Sequence, residues 1–589
     1  MDIAISLLTM LGGLALLIYG MNMLSSNLKK LTGGKLEKIL VNATNNPFKG
    51  LLVGFIITVM THSSATTTVL VVGLVNSEIL TLKSAIPIIM GANIGTTINS
   101  QILRLTSIGG TNWLILLSPT VFAPVLLIIS LLVAQKAKKK KNKDIASMLM
   151  GLGILFTGMV TMVNTASTFS DLPILSKILQ NLSNPILGVI VGALVTAIVQ
   201  SSSATVGILQ ALSTTGKINY ATTIPIILGQ NIGTCVTSIL ASIGGSSNAK
   251  RVAAVHLYFN LIGTIIFLTF IYTYQHFVGF AFWNDIVDMG NIANFHTIFN
   301  VTSTVLLFPF MGLIEKLTKV TIKDKEVKDE LDSSLLVLNK LDDRVSNLPR
   351  IAITNCKEVV LKMGELAKSN FNRSMGLLAD YNYDTVSKIE KCENNIDKME
   401  EVLTKYLVNL GNLDMSEKEN KKITILLKTE TDYEKIGDYS YRLYKKFEEI
   451  NDKEIKFSNS AIKELETMYR ITNDAIEKSK KMFDDSSKDI SYEIEALRDF
   501  AELKKEKYKS LHIKRLKQGK CSVESGISFL EILNCCESII NHCLNVTIAM
   551  SNDSLNTSIM TKHDYRKTML QKHDAEISNL IKKYEKKYK

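Results

Sequence analysis

The long apolar runs between residues 3 and 314 of this 589-residue chain hold almost no fixed charge apart from Arg104, near an end. A proton pump is expected to show an acid at membrane depth, so that class is disfavoured. Cysteine is scarce. Six of the seven lie in the charged half, which reads as cytoplasmic, and no disulfide framework is implied. Residues 340–550 have almost no proline and no strand alternation, which argues against a β domain. No nucleophile–base pair, phosphate-binding Gly-rich loop with Lys, or catalytic metal trio stands out, so an enzyme is the least favoured class. The first apolar run does not read as a convincing secretory signal: it begins with Asp2 instead of a basic segment, and no small-x-small site follows.

Two halves of opposite character are present. Residues 1–314 are apolar, and residues 315–589 are dense in Lys, Glu and Asp. Runs such as Ile3–Leu24, Trp113–Ala134 and Val252–Tyr272 are long enough to cross a bilayer core of roughly 30 Å. The formal charge of +12 does not point to nucleic acid, because the lysines are interleaved with acids along helical stretches. The densest run (Lys136, Lys138 to Lys141, Lys143) lies between hydrophobic segments and reads as a cytoplasmic loop. A lipid bilayer, not a nucleic acid, is the expected partner.

The apolar half repeats itself. Leu11–Met21 aligns with Leu149–Met159, and Pro87 with Pro225, both offset by 138 residues. Two hydroxyl-rich patches follow suit: Thr61-His62-Ser63-Ser64-Ala65-Thr66 and Gln200-Ser201-Ser202-Ser203-Ala204-Thr205. Matched by identical letters, these are offset by one residue more, which implies a single-residue indel. Basic residues place loops 25–49 (Lys29, Lys30, Lys35, Lys38, Lys49), 135–144 and 244–251 inside, and cation-poor loops 104–112, 164–184 and 276–290 outside. Segments 47–60 with 63–77, and 185–199 with 202–215, are too short to span singly and form re-entrant hairpins. Segments 3–24, 82–103, 113–134, 148–163, 222–243, 252–275 and 291–314 cross. Equivalent elements then enter from opposite faces, an inverted repeat with copies at 1–140 and 145–314.

Irregular backbone at membrane depth is tolerated where it lines a polar cavity or is buried in protein. Residues 91–96 (Gly-Ala-Asn-Ile-Gly-Thr) and 229–234 (Gly-Gln-Asn-Ile-Gly-Thr) read as breaks in apolar helices. Each hydroxyl patch sits at a hairpin turn, where the second limb starts and its free N–H groups face the tip. The candidate substrate and ion ligands are Thr61, His62, Ser63, Ser64 and Thr66 at the first tip. At the second they are Gln200, Ser201, Ser202, Ser203 and Thr205. Asn93, Thr96, Asn231 and Thr234 join them from the interrupted helices.

Hydroxyls, amides and helix N-termini suit an anion. About six hydrogen bonds at roughly 1.5–3 kcal/mol each total on the order of 9–18 kcal/mol. Desolvating an ion costs several kcal/mol, and up to roughly 20 in the ideal limit. A co-bound cation would tip that balance, and Ser, Thr and Asn oxygens are hard ligands suited to sodium.

At these residues the chain resembles the sodium/phosphate cotransporter family. That family carries Gln-Ser-Ser-Ser in each of two inverted repeats, and those patches bind phosphate and sodium. Gln200-Ser201-Ser202-Ser203 matches; in the first copy Thr61-His62 stand for Gln-Ser. The resemblance implies co-transport of inorganic phosphate and sodium across the plasma membrane. His62 would add a pH-dependent charge beside the anion. Two further echoes, His256 to Asn260 and His296 to Asn300, read as helix-packing motifs.

Residues 340–550 show apolar positions at helical spacing and read as a soluble helical bundle, making the whole chain all-α. Glu430, Glu434 and Asp438 fall at i, i+4 and i+8 on one helix face, so a cation or water must face them. This stretch resembles the PhoU family of phosphate-signalling regulators, which implies two three-helix bundles, a divalent or iron-type metal on those acids, and a regulatory role in the cytoplasm. In the second bundle Glu537 and Asn541 echo the motif, with Leu533 in place of the first acid. Cys535, Cys536 and Cys543 read as packing residues. The Lys-rich segment 555–589 reads as a surface helix or tail. Rival readings are export or exchange of phosphate, another oxyanion such as sulfate, or a membrane-anchored phosphate sensor. A homodimer is compatible with all of them.

Overall fold

The structure, a computed structural model, describes residues 2–32, 46–107, 118–169, 173–324, 330–346, 348–413, 415–485, 490–554 and 562–588. The chain divides into two units, Met1–Lys325 and Glu326–Lys589. Every element of three residues or more among the described residues is helical. Lys35, Lys38 and the loop residues 108–112 and 170–172 lie outside the described residues, as does the start of the expected span 113–134.

The first unit opens with α1 (Asp2–Thr32). A hairpin follows, α2 (Pro47–Thr61) and α3 (Ser64–Asn76), and then α4 (Leu82–Leu103). α5 (Pro119–Lys136) and α6 (Lys140–Ala166) come next. The Lys run expected as a loop lies partly in α6, whose N-cap is Lys139. After α7 (Pro173–Leu182) the pattern returns: a hairpin of α8 (Pro185–Val199) and α9 (Ser202–Ser213), then α10 (Tyr220–Gly233) and α11 (Cys235–Ser242). α12 (Ser247–Phe277), α13 (Met289–Leu307) and α14 (Met311–Thr321) close the unit. Six helical stretches among the described residues are long and apolar enough to cross a bilayer. The hairpin limbs α2, α3 and α8 are apolar but shorter.

The same local devices build both hairpins. Asn46 and Asn184 cap α2 and α8, each followed by a proline at the first helical position, where a missing N–H costs nothing. The limbs are tied at one level by Thr58 to Thr67 and by Thr196 to Thr205, both at 2.9 Å. Each hairpin then packs on the helix that follows it through glycine. A Cβ at Gly54 would lie 1.9 Å from the Ile88 carbonyl oxygen, and one at Gly229 2.0 Å from that of Val189.

Two expectations need correction. α4 runs unbroken through residues 91–96, and the second stretch yields only a one-residue interruption at Thr234, itself right-handed helical. Gly91, Gly95, Gly229 and Gly233 serve close helix contact: a Cβ at any of them would come within 3 Å of backbone in α2 or α8. The tips also need no indel. His62 and Gln200 both take left-handed backbone conformations (φ 51° and 57°), and Ser63 and Ser201 both cap the second limb. The equivalence is therefore His62 with Gln200, Ser63 with Ser201, Ser64 with Ser202 and Ala65 with Ser203, at the common offset of 138. Matching identical letters had shifted the register by one.

α1 and α6, the counterparts from the two copies, pack on each other through glycines. A Cβ on Gly13 would meet Gly158, and one on Gly20 would meet Gly151. Residue numbers rise along one helix as they fall along the other, so the pair is antiparallel. Gly151 is itself the counterpart of Gly13, and Gly158 that of Gly20. The contact is thus self-complementary, as across a two-fold axis.

In the second unit, α15 (Pro349–Gly376), α16 (Tyr383–Gly411) and α17 (Glu417–Asp452) form one three-helix group. α18 (Asn459–Asp484), α19 (Ser491–Lys517) and α20 (Val523–Ser554) form another. They share one apolar core, with α17 against α20. α21 (Lys562–Lys587) lies along α19, and its Ile577 and Tyr584 join that core. Cys536 and Cys543 are buried there, Cys535 partly, and all are free thiols.

Candidate anion site

The two tips meet. A cavity of about 170 Å³ is lined by His62, Ser63, Ser64, Ala65 and Thr66 from the first hairpin and by Val199, Gln200, Ser201, Ser202 and Ser203 from the second. Thr234 and four residues of α1 (Ile18, Met21, Asn22, Ser25) complete it. One water needs about 10–15 Å³ by this kind of measure, so a five-atom oxyanion fits with room for a companion ion. The lining is rich in hydroxyls and amides and, among the described residues, includes no Asp, Glu, Lys or Arg.

Both α3 and α9 start at this cavity. Ser63 Oγ accepts from the Thr66 N–H at 3.1 Å, and Ser201 Oγ from the Ala204 N–H at 3.3 Å. The N–H groups of Ser64, Ala65, Ser202 and Ser203 precede the first turn's carbonyls and have no partner within their own helices. Two positive helix ends therefore converge with unspent donors, an arrangement that favours negative charge. The side-chain hydroxyls of Ser64 and Ser202 make no hydrogen bond among the described residues, although both residues are buried. Non-glycine residues held in left-handed conformations, as at His62 and Gln200, cost of order 1–3 kcal/mol and concentrate at functional sites.

Of the residues expected from sequence, nine line the cavity: His62, Ser63, Ser64, Thr66, Gln200, Ser201, Ser202, Ser203 and Thr234. Five do not. Thr61 bonds the Ser63 carbonyl, Thr205 ties the second hairpin, and Thr96 returns its hydroxyl to the Ala92 carbonyl. The amides of Asn93 and Asn231 donate to Ile89 and Ile227 and meet His256 and Asn300 across helix contacts, at 3.3 and 3.2 Å. These five hold the scaffold. His256 also meets Ser238, and His296 meets Ser100, both at 3.2 Å, so the two His-to-Asn echoes are helix-packing devices.

Three polar residues escaped notice. Asn22, exposed, and Ser25, buried, stand one turn apart on α1 and line the cavity. Asn99 on α4 links the tips. Its side-chain N–H groups donate to the His62 carbonyl at 2.9 Å and to Ser203 Oγ at 2.7 Å. Its oxygen meets His62 Nδ1 at 2.7 Å. The spacing of Asn22 and Ser25, breaking an apolar run on one helix face, was the one available signal. Arg104 bonds Gln101 and Asn294 away from the cavity.

The sequence profile of the Na+/Pi-cotransporter family matches residues 16–164 and 171–284, which cover both tips and α4 and α10. The membrane unit belongs to that family. A PhoU domain profile matches residues 360–446, which span most of α15, α16 and α17. The YqeW protein of Bacillus subtilis is 28% identical over 309 residues, 52% of this chain and 95% of that protein. The YjbB protein of Escherichia coli K12, named for inorganic phosphate export, is 23% identical over 470 residues, 79% of this chain and 82% of its own. Human sodium-dependent phosphate transport protein 2B is 33% identical over 180 residues, 27% of this chain and 26% of that one. No solved structure matches the chain. Membership makes the chain a transporter-family membrane protein and not an enzyme.

In the PhoU domain the three acids each have a protein partner. Lys435 lies 3.1 Å from Glu434 and 2.7 Å from Asp438, and Glu430 accepts from Thr404 at 2.5 Å. Among the described residues no group of three or more His, Cys, Asp or Glu side chains is arranged to hold a metal. Lys435 supplies a cation to Glu434 and Asp438, and Glu430 is met by the Thr404 hydroxyl. In the second group, Glu537 pairs with Lys505 at 2.6 Å.

Proposed function

We propose that this protein moves inorganic phosphate across the plasma membrane with sodium, through a site shared by the two hairpin tips. The observation that carries this reading is the single cavity onto which two helix N-termini and two serine patches open. Its neutral donors suit a tetrahedral oxyanion, and the absence of cationic side chains among the described lining residues leaves a companion cation to balance it. The name of the human relative couples phosphate to sodium. Opposed insertion of the two repeats gains support from the antiparallel, self-complementary contact of α1 with α6. The PhoU domain then lies in the cytoplasm and regulates the flux.

A second reading concerns direction. A match of 470 residues is longer than the membrane unit, so the likeness to YjbB extends into the PhoU part. That favours export as the physiological direction. Radiolabelled phosphate flux in proteoliposomes, with a sodium gradient imposed in either sense, tests both. Flux that follows the sodium gradient supports coupling. Flux indifferent to sodium removes it, and the absence of any flux leaves a sensor.

A further inference from the structure

The two tips differ where their backbones agree. Gln200 brings an amide to the left-handed position of the second tip, and His62 brings an imidazole to the first. The protonation of that ring can be worked out from its neighbour. The His62 carbonyl oxygen only accepts, so the Asn99 atom 2.9 Å away is the amide nitrogen. The Asn99 oxygen therefore faces His62 Nδ1, at 2.7 Å, and it too only accepts. Nδ1 carries the hydrogen, and in the neutral ring Nε2 is a bare lone pair. No partner for Nε2 exists among the described residues.

Among the described residues that line the space around His62, none supplies a counter-charge. A small pocket beside His62 is lined by Asn99 and by leucine, isoleucine and methionine side chains of α1, α4 and α6. The larger cavity that His62 also lines presents hydroxyls and amides from α1, α3, α9 and Thr234. No Asp, Glu, Lys, Arg or second His occurs among these lining residues. A proton on Nε2 thus has one available counter-ion, the anion in the cavity.

We infer that His62 Nε2 takes up a proton as the anion enters, so that this site binds phosphate together with H+. Dihydrogen phosphate passes a proton to Nε2, or hydrogen phosphate arrives with one from water. Either way the bound pair is the hydrogen phosphate dianion and the imidazolium, with Nε2–H as a charged donor to phosphate oxygen. The second tip, with Gln200, donates without titrating. This inference rests on the cavity being the phosphate site.

The test is calorimetric titration of the full-length, detergent-solubilised protein with inorganic phosphate, from pH 6 to 8.5, in buffers of different ionisation heat. His62→Gln places at the first tip the residue that the second tip already carries in the same conformation. His62→Asn is the second variant, because asparagine tolerates the left-handed region. The wild type is expected to bind protons beyond those explained by phosphate itself. Its affinity relative to His62→Gln should fall by up to about tenfold per pH unit above the imidazole pKa. Equal proton counts and parallel pH profiles in wild type and variants would overturn the role of His62 while leaving the phosphate site standing. No phosphate binding by any of the proteins would overturn the site, and this inference with it.

Discussion

Ser64 and Ser202 hold equivalent positions one residue into α3 and α9, with hydroxyls that make no protein hydrogen bond among the described residues. Replacing either with alanine is expected to leave the fold intact. It should remove one hydrogen bond to a charged ligand, roughly 1.5–3 kcal/mol, or about 10- to 150-fold in phosphate Kd. Ser63 and Ser201 are different, because their hydroxyls cap the helices. Ser63→Ala and Ser201→Ala should cost about 1 kcal/mol of stability, seen as a lowered unfolding temperature in detergent. Asn99→Ala should weaken phosphate binding without touching the ligand, since it frees both His62 and Ser203. The serine patches were readable as chemistry in the sequence because they are doubled. Their register was not, because chance identities at Ala65 and Ala204 outweigh the true equivalence, which the helix caps reveal. Asn99 carries no motif, and its partners lie 37 and 104 residues away.

At the level of helices, glycine was the ambiguous letter. Glycine in an apolar helix can break it or let another helix close in, and sequence alone does not separate the two uses. Here the second use prevails. Gly54→Ala and Gly229→Ala would drive a methyl into a backbone carbonyl of the partner helix. Each is expected to cost at least about 1–3 kcal/mol and to loosen a hairpin from its supporting helix. Gly12, with nothing within 4 Å of a Cβ, is the control, and Gly12→Ala should be neutral or slightly stabilising. Thermal unfolding of the solubilised variants separates the two groups. The hairpins themselves were visible in advance, because limbs of 15 and 13 residues in α2 and α3 are too short to span singly.

Across the whole molecule, the all-helical class followed from period and composition, whereas the Lys435 bridge did not, since a lysine among acids reads equally well as a solvated face. The PhoU domain also carries a pH dependence of its own. Burial first, then the Asp397 and Asp438 carboxylates, push Glu393 up to about 8. Burial raises Glu430 to about 7, opposed by the Thr404 hydrogen bond and aided by Glu400. Both values lie above the ordinary carboxylate range, so the folded state holds protons that the unfolded chain has released. The associated stability is complete below about pH 4.5 and is lost as pH rises through 7 to 8. Hydrogen exchange in α16 and α17 of the full chain should therefore be faster at pH 8.5 than at pH 6, after correction for intrinsic rates. Glu393→Gln should flatten the difference.

The central claim is that both tips hold one anion. Equilibrium binding of radiolabelled phosphate to the purified full chain, with sodium present, tests it most directly through stoichiometry. The account predicts one phosphate per chain, with Ser64→Ala and Ser202→Ala each weakening that same single-site isotherm. Two phosphates per chain, with each substitution abolishing a different one, or an isotherm that neither substitution moves, would contradict it.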